Sequence, residues 1–151
     1  MITLQPIGVV HSGRSEMRDD HWDRVPASVE LNAEFPDEAL LGLEDFSHAE
    51  IIFHLDRIPE STIERGALHP RGNPKWPRVG IFAQRAKKRP SRLGATIVRI
   101  LGCEGRTLRI AGLDALDGTP VLDIKPVMAG FLPRGEFHQP SWATELMREY
   151  W

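Results

Sequence analysis

Apolar positions in this chain come in short runs, and most of the runs alternate or are too short for a helix. Ile2 to Val10 is apolar and β-compatible; Pro6 places it at an edge or at a strand start, because proline cannot donate to a ladder. Ala27 to Ala33 alternates and predicts a strand, and Ala49 to Leu55, rich in isoleucine and phenylalanine, predicts another. Val79 to Ala83 predicts a short buried strand. Ala95 to Leu101 and Thr107 to Ala111 are β-branched runs joined by Gly102 to Arg106, the clearest hairpin in the chain. Val121 to Ile124 predicts a last strand, closed by Pro126.

Helical signals are few. Pro36-Asp37-Glu38 opens a short turn through Leu41, with Gly42 as its stop. Near the end, Ser141 follows Pro140 as a candidate N-cap, and Trp142, Leu146 and Tyr150 recur every four residues, which predicts a short amphipathic helix. Between the runs lie a polar stretch, Arg14 to Arg24, and a long loop, Pro59 to Pro77, punctuated by proline and glycine. Loops of that length in small domains are commonly functional or mobile. Many short strands with this punctuation predict a mostly β fold: a single closed or nearly closed barrel over residues 1–151, with short helices, one of them at about 141–151.

Composition narrows the function. Hydrophobic content of 41% and charged content of 26% are ordinary for a globular protein. A net charge of −2 gives no global field for nucleic acid, so any polyanion must be met by a local patch. One such patch exists: Arg85, Lys87, Lys88, Arg89 and Arg92 surround Pro90 directly after the Val79 run. It reads either as an anion site or as a solvated charge run. Trp22 sits within Asp19-Asp20-His21-Trp22-Asp23, where a large ring either packs over a barrel end or meets a ligand. The lone Cys103 excludes an internal disulfide and a cysteine-based zinc site. His48, His54, Asp56 and His69 match no zinc spacing, and no metal is expected. Phosphate-binding glycine loops and a GxSxG elbow are missing. With no apolar segment of membrane-spanning length and no secretory pattern at Met1, a cytoplasmic location is expected. Asp114 and Asp117 flank a turn and are accounted for as turn-capping residues.

Four blocks in order resemble a known family. They are Ile7 to Val10; Gly42 to His48; Gly80 to Arg85 with Arg89-Pro90; and Leu113 to Pro126. Over about residues 5–127 the chain is similar to the TrmO family, also called YaeB-like or TsaA-like. The resemblance implies a homodimeric β-barrel that uses S-adenosylmethionine, with the cofactor near the subunit interface. The implied reaction is N6-methylation of threonylcarbamoyladenosine beside the tRNA anticodon. The departures fall in the loops: Gln84, Ala86, Ser91, Arg92, Leu93 and Val127 differ from the usual pattern. His21-Trp22-Asp23 stands where a cofactor segment is expected, and Asp56 where the family has histidine.

Carried over residue by residue, the resemblance implies cofactor contacts at His21, Trp22, Asp23, Asp56, Arg57, Phe82, Ala83, Gln84, Arg85, Arg89, Leu116, Asp117 and Gly118. Arg85 and Arg89 suit a carboxylate or a phosphate, since guanidinium forks bind either. Asp56 and Asp117 are the candidates to accept the proton that adenosine N6 must lose. Lys87, Lys88 and Arg92 are expected to face RNA. Two other readings stand beside the tRNA methyltransferase: the same fold acting on a small acceptor, and a non-enzymatic barrel that binds an anion or nucleic acid.

Overall fold

The computed structural model describes all 151 residues. In chain order the strands are β1 (Gly8–Ser12), β2 (Ala27–Leu31), β3 (His48–His54), β4 (Ala67–Leu68), β5 (Val79–Gly80), β6 (Leu93–Glu104), β7 (Thr107–Ala111) and β8 (Pro120–Pro126). Six of them form a closed antiparallel barrel in the order β1-β2-β7-β6-β3-β8, and β4 with β5 makes a separate two-stranded ribbon. The expected β-barrel is the observed fold.

Alternation along the strands explains the closure. Val10, Val29, Leu31, Ala49, Ile51, Phe53, Val98, Leu108, Ile110 and Val121 all bury their side chains in one core, and Leu40, Leu113 and Ala115 from the connections complete it. Each burial of a Val, Leu, Ile or Phe side chain contributes about 1.5–3 kcal/mol relative to exposure, and closure leaves the barrel itself without an open strand edge. Gly94 lies opposite Phe53, where a Cβ would fall 2.3 Å from the ring, so the phenylalanine fills the space a larger residue would need. The register shifts in two pairs: Leu101 is the extra residue between β6 and β7, and Leu122 between β3 and β8.

Several boundaries differ from the sequence expectation. The first strand is regular only from Gly8, although the Ile7 amide already donates to Val121 O. Ala27 to Ala33 stops at Leu31, because Asn32 turns away, its amide donating to the Ile7 carbonyl and its side chain to Pro6. Val79 to Ala83 is not one buried strand: β5 ends at Gly80, and Ile81–Ala83 is a 3₁₀ turn that buries Ile81 and leaves Phe82 78% exposed. Its partner β4 has only two residues before His69-Pro70, and proline offers no N–H to extend the ladder. The Pro59 to Pro77 loop therefore holds this half-ribbon and two 3₁₀ turns rather than bare coil. The hairpin turn is Gly105-Arg106 alone, because β6 runs on to Glu104. The Pro36 turn is a 3₁₀ helix at Asp37–Leu40. The last helix, α1 (Ser141–Leu146), has Pro140 at its N-cap and no side-chain cap, so Ser141 is not the cap, and Tyr150 lies beyond the helix.

Register decides where the loops go. Ser12 pairs with Ala27, Ala27 with Ile110, Phe53 with both Gly94 and Val121, and Val9 with Pro120. Three long connections, Gly13–Pro26, Leu55–Arg92 and Gly112–Thr119, therefore emerge from the same end of the barrel. That end is called the rim below. No helix is long and apolar enough to cross a membrane.

Candidate functional site

All of the sequence-predicted site residues lie in the three rim connections, because antiparallel pairing brings those connections to one end. Within the rim they separate into two groups. Trp22, Asp56, Arg57, Lys87 and Leu116 line one pocket, together with Met17, Leu55, Ile58, Asp114, Ala115 and Thr119. The rest stand outside that pocket.

Trp22 is the centre of the wall. It is 2% exposed and starts a 3₁₀ turn, Trp22–Arg24, that follows His21 in the left-handed region at φ 63°. The Arg14 guanidinium carbon lies 4.3 Å above its ring, and Arg14 also donates to the Asp20 carbonyl at 2.8 Å. A cation over an indole contributes about 0.5–2 kcal/mol. The Trp22 Nε1 is buried and has no hydrogen-bond partner in the protein. An unmet buried donor costs about 1–3 kcal/mol, and here it belongs to a pocket-lining ring. Packing and ligand contact were alternatives in the sequence; the burial is observed, and the Nε1–H is left without a partner in the protein.

Arginines stitch the loops together. Arg57 donates to the Ser15 and Asp117 carbonyls, both at 2.6 Å, tying all three connections. Arg89 donates to Gln84 O at 2.8 Å, Arg92 to Ile58 O at 3.0 Å, and Arg85 to Ala95 O. A guanidinium has five donors, so each keeps some free. The Gln84 side chain is buried and donates to Leu68 O and Val79 O, which holds β4 against β5. Asp23 pairs with Arg99 on the barrel's outer wall at 3.6 Å, and the His21 amide donates to Glu149 O. The Phe82 side chain points to solvent, and Ala83 closes its 3₁₀ turn. Gly118, at φ 85°, donates its amide to Val10 O.

The two aspartates read as turn caps have longer-range partners. Asp117 Oδ1 accepts the Ser12 amide at 3.0 Å, joining the Gly112–Thr119 connection to the end of β1. Asp114 accepts the Thr96 hydroxyl at 2.5 Å and, on its other oxygen, the Tyr150 hydroxyl. Burial, then the neighbouring Asp114 charge, pushes the Tyr150 hydroxyl well above the usual phenol range, so it stays a donor. Asp114, Thr96 and Tyr150 were not assigned to the site from sequence. The four-residue spacing of Tyr150 was visible but points equally to a helix face. Elsewhere, no three of His, Cys, Asp and Glu gather as a metal would need. The Cys103 thiol is pushed up by burial and by Glu44, away from reactive thiolate chemistry.

The enclosed space is about 40 Å³, far below the ~300–1,000 Å³ of typical small-molecule sites. A ligand larger than a few atoms must therefore displace part of the wall. Met17, long, unbranched and exposed, is the lining side chain freest to yield.

Charge is segregated along the barrel. The three rim connections hold thirteen of the nineteen Lys and Arg residues and nine of the twenty-one Asp and Glu residues, a surplus of four positive charges. The remainder of the chain holds six against twelve, a surplus of six negative charges. The net −2 conceals a positive rim. Arg65 and Lys88 make no side-chain hydrogen bond or ion pair, and their segments are neighbours, since the Glu64 amide donates to Lys88 O at 2.8 Å. Lys87, by contrast, is tied to Asp19 at 3.2 Å.

Comparison with known proteins gives a consistent picture. Residues 17–131 match the family described as tRNA-methyltransferase O N-terminal domain. A protein of Methanothermobacter thermautotrophicus named "Probable S-adenosyl-L-methionine-binding protein" is 39% identical over 133 residues, covering 83% of this chain and 89% of that one. Human tRNA (adenine(37)-N6)-methyltransferase is 35% identical over 115 residues, 76% of this chain but 24% of the human one. The crystal structure of TrmO from P. aeruginosa superposes with a TM-score of 0.73 at 31% identity, covering 93% of this chain and 61% of that chain. This chain thus spans less than two thirds of the solved TrmO and about a quarter of the human enzyme.

Proposed function

This chain belongs to the tRNA-methyltransferase O N-terminal domain family, and from that premise we propose that it is an S-adenosylmethionine-dependent methyltransferase acting on N6 of the threonylcarbamoyladenosine beside a tRNA anticodon. The observation that carries this reading is the coincidence, at one barrel end, of the pocket and the positive surplus. A polyanionic acceptor and a small cofactor both belong at that end.

The pocket's residues fit the cofactor. The unpartnered Trp22 N–H supplies a donor, and the apolar walls of Trp22, Leu55 and Leu116 suit a flat base. Asp56 and Asp114 face Arg57 and Lys87 around the same space, a mixed set that suits a ligand carrying both an amino acid head and a sulfonium. When bound, S-adenosylmethionine supplies the activated methyl group. The chain itself must hold the acceptor in line with it, which is where most of the rate in such a displacement arises, and must accept a proton from N6. Asp56 suits the second role, because it lines the pocket and its carboxylate has no hydrogen bond or ion pair within the protein. Asp117 is occupied by the Ser12 amide and serves as a positioning residue.

Mass spectrometry of tRNA nucleosides from cells with and without the gene tests the acceptor, and calorimetry with S-adenosylmethionine tests the cofactor. The expected results are loss of N6-methylated threonylcarbamoyladenosine without the gene, and saturable binding in roughly the micromolar range usual for enzyme ligands. Cofactor binding with unchanged tRNA nucleosides transfers the reading to a small acceptor. No binding at millimolar ligand removes both.

A cytoplasmic homodimer accompanies this reading. Fourteen consecutive residues, Met128–Ser141, are exposed, and they include Phe131 at 87% together with Met128, Leu132 and Phe137. Apolar groups at that density seek cover. Light scattering at micromolar concentration is expected to report twice the chain mass, and a strict monomer rules the dimer out.

A further inference from the structure

The segment after α1 returns to the rim. Its approach, Met128–Ser141, is exposed throughout, yet at the rim its contacts become specific. The Trp76 indole N–H donates to the Glu145 carboxylate at 2.8 Å. The His21 amide donates to Glu149 O at 2.9 Å and the Trp22 amide to Tyr150 O at 3.0 Å. The Tyr150 hydroxyl donates to Asp114, whose other oxygen is held by Thr96.

These contacts converge on the pocket without entering it. Trp22 and Asp114 both line it, one from the Gly13–Pro26 connection and the other from Gly112–Thr119. No residue of the hook Glu145–Trp151 lines it. The hook lies outside residues 17–131, the range matched by the family.

We propose that the hook Glu145–Trp151 is a strap that sets two walls of the ligand pocket, with Tyr150 as its positioning residue. Its main chain fixes His21 and Trp22, and its phenol fixes the Asp114 carboxylate against Thr96. In their absence Asp114 keeps only the Thr96 hydroxyl on one oxygen, and Trp22 loses the hydrogen bond from its amide to Tyr150 O. The strap acts through those two residues and has no contact of its own with the ligand. This inference rests on the pocket being the S-adenosylmethionine site.

Two variants and one peptide test it. Tyr150→Phe keeps the ring and the main-chain bonds but removes the hydroxyl, and a chain ending at Pro140 removes the hook with α1. Amide hydrogen exchange at His21 and Trp22 reports the strap itself, and calorimetry with S-adenosylmethionine reports the pocket. For Tyr150→Phe the expected result is cofactor binding about 3- to 10-fold weaker, below the roughly 10- to 150-fold of a hydrogen bond to a charged group because the phenol acts only through Asp114, with exchange unchanged. For the shortened chain the expected result is binding weaker by at least about tenfold and loss of protection at both amides. A synthetic peptide of residues 141–151, supplied at millimolar concentration, is expected to restore both. Unchanged affinity in both variants, with the intact protein binding normally, overturns the proposal. Should the intact protein bind no S-adenosylmethionine, the cofactor reading fails and exchange alone decides the strap. Protection lost and regained with the peptide then supports it, and unchanged protection overturns it.

Discussion

Replacing Trp22 with alanine is expected to abolish measurable S-adenosylmethionine binding and to lower the unfolding free energy by about 3–5 kcal/mol, the usual cost of truncating a buried aromatic ring. Trp22 is 2% exposed, carries the Arg14 guanidinium on its face, and forms a wall of the pocket. Truncation removes all three roles together. The stability loss is read from urea denaturation and the binding loss from calorimetry. Trp22→Phe separates them. It keeps most of the packing and the cation over the ring, but removes the buried Nε1 that has no partner in the protein. If that N–H meets the ligand, Trp22→Phe is expected to weaken binding about 2- to 12-fold, the scale of a neutral hydrogen bond. Unaltered affinity in the phenylalanine variant means that the orphan donor has no part in binding.

Removing Arg65 and Lys88 together is expected to weaken tRNA binding on the order of tenfold or more near physiological salt, while leaving cofactor affinity intact. Each phosphate contact contributes about 0.7–0.9 to the slope of log affinity against log salt, so the slope is expected to flatten by about 1.4–1.8. These two are chosen because nothing in the protein engages their side chains and their segments adjoin. Arg57, Arg85, Arg89 and Arg92 already donate to carbonyls, and their loss would disturb the loops as well as the charge. Titration of tRNA at several salt concentrations gives the answer. An unchanged slope in the double alanine variant means that this part of the rim is not an RNA platform, and the small-acceptor reading gains.

The barrel was legible because its information is local. Alternation at Ala27 to Leu31, Ala49 to Phe53 and Thr107 to Ala111 marks both the strands and the face each one buries. The short β5 was not legible. The Val79 run looks like a strand, and only the length of β4, a dozen or so positions earlier, limits its pairing to two residues. The positions of the site loops were readable for the same reason as the barrel, but the job of each arginine was not. A cluster such as Arg85, Arg89 and Arg92 announces anion chemistry by composition, whereas the fold commits part of each guanidinium to a carbonyl elsewhere in the chain. Asp114 was misread in the opposite sense. Its turn context gave a sufficient local explanation, and its partners Thr96 and Tyr150 lie 18 and 36 residues away.

The exposed run Met128–Ser141 has a consequence for how firmly the hook must hold. Its fourteen residues act as a tether. A flexible chain of that length keeps its ends within roughly 20 Å, which gives the attached hook a local concentration in the millimolar range. Docking too weak to detect between separate molecules therefore still keeps the rim occupied most of the time. The hook of a neighbouring molecule competes only when the protein itself approaches that concentration. Residues inserted into the tether dilute the hook slowly, with about the −3/2 power of length, so docking of the hook is far less sensitive to the length of this segment than to the seven residues it carries.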